Sequence, residues 1–196
     1  MTKKKDGYHH GDLRSALVKN GLKLVADTED GDVGLREVAR ETGVSATAVY
    51  RHFPDKDAFL RALAGAGFEM LYDAQAKAAA GRAAKDEGFR AIGQAYVHFA
   101  IDHPPLFRLM SRYMPSADDF REGRLAKGNR AGRLLTDYLA ELLPGEENES
   151  KRQVAAIQAI ALVHGLAQLV LGGQIPKDRS LIDAAVDEFG SWHHES

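Results

Sequence analysis

The chain has 196 residues, of which 44% are hydrophobic, and its formal net charge is −2. This length suits one large domain or two small ones, and the apolar share is sufficient for a buried core. The chain has no cysteine, which excludes a disulfide scaffold, a thiolate zinc site and a cysteine nucleophile.

The first 26 residues carry six Lys or Arg against two Asp, so basic charge is concentrated at the start of a nearly neutral chain. No apolar run or small-residue cleavage site follows the lysines at 3–5, which argues against a signal peptide. The lack of cysteine makes a cytoplasmic protein the simplest account. We interpret these lysines as a solvated arm, with phosphate or minor-groove contacts as the alternative. Apolar residues at helical spacing then predict a helix over 11–26, followed by an acidic turn at 27–32.

Residues 35–53 contain two short helical patterns that meet at Gly43. Glycine can adopt the positive φ that ends the first helix, and Ser45 is placed to cap the second. The two patterns therefore predict a helix-turn-helix over residues 34–53, whose second helix enters the DNA major groove.

The outer face of that second helix is small and polar, which allows a close approach to base edges. Ala46 and Thr47 can offer methyl groups to thymine, and the Thr47 hydroxyl can hydrogen-bond to a base or to phosphate. Tyr50 and Lys56 suit phosphate contacts. Arg51 can reach a guanine or the backbone, and the sequence leaves both open. The alternative is a solvent-exposed helical hairpin with no role in DNA binding.

Five short motifs here resemble the N-terminal domain of the TetR family of transcriptional regulators. They are LREVA at 35–39, GVS at 43–45, YRHF at 50–53, DK at 55–56 and the apolar pair FL at 59–60. The resemblance covers residues 11–70 and implies that the helix-turn-helix binds an operator in double-stranded DNA. Family members often carry Ser or Thr where this chain has Gly34, which offers no hydroxyl to phosphate.

The resemblance also implies which side chains face DNA, with His52 at the helix end near phosphate. Because Ala46 and Ala48 offer little hydrogen bonding, we expect sequence readout to depend on Thr47, on Arg36 and on DNA shape. The complete set of expected DNA-binding residues is Arg36, Ser45, Ala46, Thr47, Ala48, Tyr50, Arg51, His52 and Lys56.

The remainder of the chain has helical spacing throughout, interrupted by polar or proline-containing breaks. Residues 81–87 form one such break, and His103-Pro104-Pro105 forms another. The predicted helices cover residues 56–80, 89–100, 106–114, 117–142, 153–174 and 181–189.

Aromatic residues and methionines recur in these helices and can line either a packed core or an adaptable apolar pocket. Each is an ordinary core residue when taken alone, but a domain of this size attached to a DNA-binding domain favours a cavity for a small-molecule effector. His98 is one further candidate for a polar contact there. The candidate pocket residues are Met70, Tyr96, Phe99, Phe107, Met110, Tyr113, Met114, Tyr138 and His164.

Residues 153–174 carry no charge and are close to the length that spans a bilayer, about 20 residues. The polar residues and glycines in this stretch argue against a lipid-facing helix, and an apolar circumference also fits a helix buried in a core and an interface. Paired with the last helix across a two-fold axis, it predicts a homodimer held by a four-helix bundle. The candidate interface residues are Ile157, Ala161, His164, Gln168, Ile182, Val186 and Phe189.

The second half also resembles the C-terminal domain of one TetR subgroup, through YVHFA at 96–100, HP at 103–104, LFRLM at 106–110 and VHGL at 163–166. That subgroup, the WHG type, commonly carries Trp shortly before the His-Gly pair, where this chain has Ala161 or its neighbours. The resemblance therefore assigns no particular effector.

We expect an all-α protein of about nine helices, with a DNA-binding domain over 10–70 and an effector-binding and dimerisation domain over 71–196. The expected function is that of a homodimeric transcriptional regulator, most often a repressor in this family, which a small-molecule effector releases from a near-palindromic operator. We expect no cofactor, metal, membrane partner or catalysis, because the motifs of such sites are not found. The alternatives are a small-molecule-binding protein or enzyme with an incidental helix-turn-helix, and a DNA-binding protein that needs no ligand.

Overall fold

The structure is a computed structural model that describes residues 10–116, 118–119 and 129–188. These residues are helical or irregular and include no strand, which confirms the all-α expectation. Asp118 and Asp119 have helical backbone as well. Within the described ranges the α-helices that can be followed from end to end are α1 (His10–Ala26), α2 (Leu35–Thr42), α3 (Ala46–Tyr50), α4 (Lys56–Ala79), α5 (Lys85–Asp102), α6 (Pro104–Ser111), α7 (Arg130–Leu142), α8 (Glu149–Leu171) and α9 (Arg179–Asp187).

Helices α1, α2, α3 and the first half of α4 pack around a common core. Leu17, Val38, Val49 and Phe59 are fully buried there. Burial of an apolar side chain of this size contributes about 2 kcal/mol. This packing holds α3 in place, since a helix of five residues is too short to be stable in water alone.

The turn between α2 and α3 has the geometry expected of a helix-turn-helix. Gly43 ends α2 with a φ of 71°, in the left-handed region that favours glycine. Ser45 caps α3, because its Oγ accepts a hydrogen bond from the Ala48 amide at 3.2 Å. The predicted turn and cap are therefore confirmed.

Helix α4 runs from the helix-turn-helix region into the second half of the protein. It begins where Asp55 Oδ1 accepts a hydrogen bond from the Ala58 amide at 2.7 Å. Its 24 residues make it roughly 36 Å long. The predicted domain boundary at 70/71 falls inside this helix, and α4 packs against α1, α5, α6 and α7.

Several predicted helix boundaries are wrong, and α8, for example, covers Glu149–Leu171 rather than 153–174. Helix α5 begins at Lys85, inside the expected polar break, because the acidic residues of its first turn suit the positive end of a helix. A continuous helix over 117–142 is excluded because Asn129 has extended backbone, and its Oδ1 accepts hydrogen bonds from the amides of Ala131 and Gly132 at 3.0 and 3.2 Å. A new helix therefore starts at Arg130; residues 117 and 120–128 lie outside the described residues.

Helix α6 also differs slightly from its prediction. It starts at Pro104, two residues earlier than expected, and ends at Ser111. Proline is well tolerated in the first turn of a helix, where its missing N–H has no partner to lose. The Pro104-Pro105 pair therefore ends one helix and begins the next.

Helix α8 leaves much of its apolar surface uncovered. Val154 and Ile157 are 54% and 52% exposed, and Leu181 of the neighbouring helix α9 is 51% exposed. Together with the 3-10 turn Glu146–Asn148, α8 is long and apolar enough to cross a membrane, by length and composition alone. Only 17% of its most apolar stretch is buried within the protomer. An apolar helix of this kind equally fits the contact surface between two protomers.

Candidate DNA-binding face, cavity and dimer surface

The candidate DNA-binding side chains are mostly accessible. Arg36, Thr47, Tyr50, Arg51 and Lys56 are exposed. The smaller or terminal positions Ala46, Ala48 and His52 are half-buried, while Ser45 is exposed and uses its Oγ as the α3 cap. A face with small side chains at the start of α3 and cations around it can approach a DNA groove closely.

Lys56, the expected phosphate contact, is engaged in an ion pair. Its Nζ donates a hydrogen bond to Asp32 Oδ2 at 2.6 Å, and both side chains remain accessible to solvent. A DNA phosphate that binds Lys56 must therefore compete with this carboxylate. At the neighbouring Gly34, α2 begins without a side-chain cap, in keeping with the missing hydroxyl.

The acidic turn also connects the helix-turn-helix region to α6. Arg108 Nη1 donates to the Glu29 carbonyl oxygen at 2.7 Å, and Arg112 Nη2 approaches the Asp30 carbonyl oxygen at 3.5 Å. Gly31 has a φ of 79°, and a Cβ there would lie 2.6 Å from the Pro105 carbonyl oxygen. The turn therefore packs directly against the start of α6.

Tyr113 forms a second connection between these regions, although we expected it to line a pocket. Its hydroxyl donates to Asp57 Oδ1 at 2.8 Å, and the Arg61 guanidinium lies 4.9 Å from the centre of its ring. The hydrogen bonds from Tyr113 and Arg61 lower the pKa of Asp57. Tyr113 thus joins the segment after α6 to the first turns of α4, which follow Lys56.

A cavity of about 300 Å³ lies between α4, α5, α7, α8 and α9. Its wall is largely apolar, as in most small-molecule sites. Asp86 and Arg90 line it, and they pair with each other at 3.0 Å. The other described lining residues include Phe68, Leu71, Gln75, Phe89, Ile92, Gly93, Tyr96, Met114, Asn129, Leu135, Ile160, Val163 and Val186.

Of the nine candidate pocket residues, Tyr96 and Met114 line this cavity and the other seven do not. Phe99, Phe107 and Met110 are buried in the core, and Met70 is exposed. The remaining three are Tyr113, described above, Tyr138, whose ring lies against Gly88, and His164, which lies behind Tyr96. His98 faces Asp183 of α9 at 2.8 Å instead.

A chain of polar side chains runs from the cavity wall to the surface of α8. Tyr96 Oη lies 3.0 Å from His164 Nδ1, and His164 Nε2 lies 3.2 Å from Gln168 Nε2. Since an amide nitrogen donates, His164 Nε2 accepts, and the ring proton is assigned to Nδ1, which donates to the Tyr96 oxygen. Burial lowers the pKa of His164, which favours this neutral ring, and burial also raises the pKa of Tyr96.

Gln75 is a polar lining residue that was not among the candidates from the sequence. Its side chain is only 6% exposed, and its Nε2 donates to the Ile92 carbonyl oxygen at 3.0 Å. Within the described part of the chain, its Oε1 is buried without a hydrogen-bond partner. The signal in the sequence was a polar residue four positions after Leu71, in the apolar stripe of α4.

The exposed apolar residues of α8 lie on one face of the helix. Val154, Ile157 and Ala161 follow a spacing of three and four residues, and the exposed Gln168 and Leu169 continue the same side. We call Val154, Ile157, Ala161 and Leu169 the α8 apolar face.

Two residues of α9 that we expected at the dimer interface are buried within the protomer. Ile182 and Val186 are only 1% and 6% exposed, and a Cβ on Gly93 would lie 3.1 Å from Val186 Cγ1, so they pack within the protomer. The exposed apolar residue of α9 is Leu181. Phe189 lies outside the described residues, as does the lysine arm at 3–5.

Two family models match the chain. The model described as bacterial regulatory proteins, tetR family, matches residues 22–63, which include the whole of α2 and α3. The model described as tetracyclin repressor-like, C-terminal domain, matches residues 89–189, more than half of the 196 residues.

Solved structures share the fold over nearly the whole chain. A protein of unknown function from Rhodococcus sp. RHA1 is 32% identical, with a TM-score of 0.69 over 94% of this chain and 97% of its own. A TetR family transcription regulator from Marinobacter aquaeolei VT8 is 20% identical, with a TM-score of 0.62 over 89% and 91%. A tetR-family transcriptional regulator from Streptomyces coelicolor is 19% identical, with a TM-score of 0.66 over 92% and 80%.

Proposed function

The chain belongs to the TetR family of DNA-binding transcriptional regulators, and we propose that it is a cytoplasmic repressor released from its operator by a small-molecule effector. Regulators of this family are generally not enzymes and act as dimers on DNA. The observation that carries the proposal is the apolar cavity against α4, the helix whose first residue is Lys56. One rigid element thus adjoins both the effector cavity and the DNA-binding face.

Effector binding acts by shifting a population between two positions of α4. A molecule in the cavity contacts Phe68, Leu71 and Gln75 on one side and the helices of the C-terminal half on the other. If the cavity fits the effector better in the form that does not match the operator, that form gains population. A differential affinity of a few kcal/mol is enough to empty most operators.

The dimer pairs the α8 apolar face, together with Leu181, with the same surface of a second copy. Two-fold pairing of this kind places two α3 helices in successive major grooves, about 34 Å apart. A two-fold protein favours a near-palindromic site, so we propose an operator of two inverted half-sites.

On each half-site, Thr47 is the main direct reader, with methyl contacts from Ala46 and Ala48. Tyr50 and Lys56 contact phosphate, as do His52 and the capping end of α3 at Ser45. Arg36 and Arg51 supply the remaining positive charge at the groove. Because the groove-facing side chains are small, each α3 helix alone is only weakly specific. Most of the specificity comes from the fixed separation between the two α3 helices of the dimer.

Selection of bound sites from random duplex DNA with the full chain tests this function. We expect one near-palindromic site at moderate salt, and its affinity should fall when a cavity ligand is present. Binding of all duplexes with equal affinity would contradict the proposal.

Two substitutions separate positioning from reading on that site. Lys56→Ala should weaken binding to all duplexes and reduce the slope of log affinity against log salt concentration by about one per protomer. Thr47→Val keeps a methyl group but loses the hydroxyl, so it should change the preferred bases. Lys77→Ala, an exposed lysine near the far end of α4, is the matched control and should change neither.

A further inference from the structure

We infer that the effector is a neutral, largely apolar molecule that carries a hydroxyl or N–H group, and that this group donates a hydrogen bond to Gln75 Oε1. The inference rests on the proposed effector role of the cavity and names the chemical class of its ligand. It is carried by one buried acceptor and by the balance of charge in the cavity wall.

The orientation of the Gln75 amide is fixed by the protein. Its Nε2 donates to the Ile92 carbonyl oxygen of α5 at 3.0 Å. A backbone carbonyl can only accept, so exchanging the amide nitrogen and oxygen would break this bond. Oε1 is therefore the atom left over, and the side chain that carries it lines the cavity.

A buried acceptor without a partner is rare in folded proteins and destabilises the state that contains it. Leu71 and Ile92, which lie next to Gln75 in the cavity wall, are apolar and offer Oε1 no donor from their side chains. A water molecule would need two to four polar partners to be held firmly in such a place. Oε1 itself is covered by its neighbours, so a hydroxyl or N–H group of a ligand in the cavity satisfies it once the adjoining apolar side chains of the wall shift aside.

The charges in the wall indicate that the ligand is neutral. Among the described lining residues, Asp86 and Arg90 are the only acidic and basic side chains, and they form an ion pair with each other. An ionic effector would lose its hydration without gaining an unpaired opposite charge. Asn129 uses its Oδ1 to cap α7, so it is already committed as an acceptor.

Matched probes test the inference on the purified full-length dimer by calorimetric titration. The probes are naphthol with its methyl ether, decanol with its methyl ether, and indole with N-methylindole. We expect the donor of a binding pair to bind about tenfold more tightly than its methylated partner. In Gln75→Leu this preference should disappear, while the affinity of the methylated partner stays the same or rises.

Two further variants serve as controls. Gln75→Met provides a second apolar replacement if Gln75→Leu does not fold, and the probe pairs test the wild type without any substitution. Gln94→Leu makes the same exchange at a glutamine of α5 outside the cavity lining, which is bonded to Asp187 at 2.8 Å. The preference for donors should persist in Gln94→Leu.

Equal affinity for the two members of every pair in the wild type would overturn the inference, as would binding of neither member of any pair. Operator binding and release are measured in the same samples. Methylated probes that bind and release the operator would leave the proposed function intact while removing the ligand class. A dimer that binds no operator would contradict the proposed function itself.

Discussion

The two halves of α4 lie in opposite kinds of surroundings. Phe59 and Leu63 in the first half are fully buried against the other helices of the DNA-binding domain. Gln75 in the second half has a buried acceptor without a partner beside a cavity of about 300 Å³. The first half of α4 is thus fully packed within one protomer, whereas the second half leaves room for an occupant.

The exposed surfaces of the two regions differ in the same way. The accessible side chains around α3, such as Thr47 and Arg51, are polar or charged, so they are well solvated when no DNA is bound. The α8 apolar face is accessible in a single protomer but apolar. A contiguous apolar surface of this kind marks an interaction site, and in the proposed dimer a second copy covers it.

The largest expected effect breaks the dimer while leaving α3 intact. Ile157→Asp places a charge in the centre of the α8 apolar face, where pairing would remove it from water. We expect monomers by analytical ultracentrifugation and an operator affinity at least about a hundredfold lower, because two linked half-site readers become independent. Ala140→Asp, on the exposed side of α7, should keep the dimer. A dimeric Ile157→Asp with full operator affinity would exclude this surface.

Local signals made the DNA-binding domain predictable from sequence. Gly43, Ser45 and Asp55 each act on backbone groups within four residues, so their roles depend little on the rest of the fold. The break at Asn129 also had a local signal, but the apolar spacing on both sides of it suggested one continuous helix. A capping side chain is a stronger signal than apolar spacing, because it bonds to backbone amides that are free only where a helix starts.

The cavity and the interface were less predictable because they depend on how helices pack. Phe107 and Met110 are of the same residue types as the side chains that line the cavity, and only the packing of α6 shows that they belong to the core. Leu181 and Ile182 are adjacent apolar residues of α9 with opposite exposure, and spacing alone does not give the rotation of the helix. Gln75 becomes informative only when Ile92 is seen to bind its amide nitrogen.

The second prediction concerns the contact between α4 and α6, where the two regions meet. A Cβ on Gly67 would lie 2.6 Å from Met110 Sδ and 3.1 Å from Leu106 Cδ1. Gly67→Ala should therefore lower the free energy of unfolding by about 1–2 kcal/mol, even after the helix propensity of alanine is included. Gly65→Ala on the same helix meets nothing within 4 Å and should raise it by about 0.5–1 kcal/mol. Urea titrations of both variants measure the difference; equal stabilities would show that α6 yields freely.

The third prediction concerns the competition for Lys56 at the DNA-binding face. Asp32→Asn removes the carboxylate that accepts its hydrogen bond at 2.6 Å, so Lys56 becomes available to phosphate. We expect operator affinity to rise about two- to fivefold at low salt, and the gain to shrink as salt screens the charges. Glu29→Gln removes one negative charge from the same turn without touching Lys56 and should give a smaller gain. Equal gains would mean that only net charge matters.

The smallest expected effect is a pH dependence from the polar chain beside the cavity. Burial lowers the pKa of His164 below its ordinary value of 6.5. Between the two pKa values the unfolded chain binds more protons than the folded one, so His164 makes stability fall as the pH drops below 6.5. Above that pH the ring is neutral in both states and contributes no slope.

Thermal unfolding of wild type and His164→Gln from pH 8 to pH 5 measures this contribution. The other ionisable groups are common to both proteins, so plots of melting temperature against pH should run parallel above pH 7. Below about pH 6.5 they should diverge, with the wild type losing more stability. His164→Asn should behave as His164→Gln does. Parallel curves over the whole range would mean that the ring titrates as it does in water. The Tyr96–His164–Gln168 chain would then behave like the solvated surface around α3 rather than like the cavity wall.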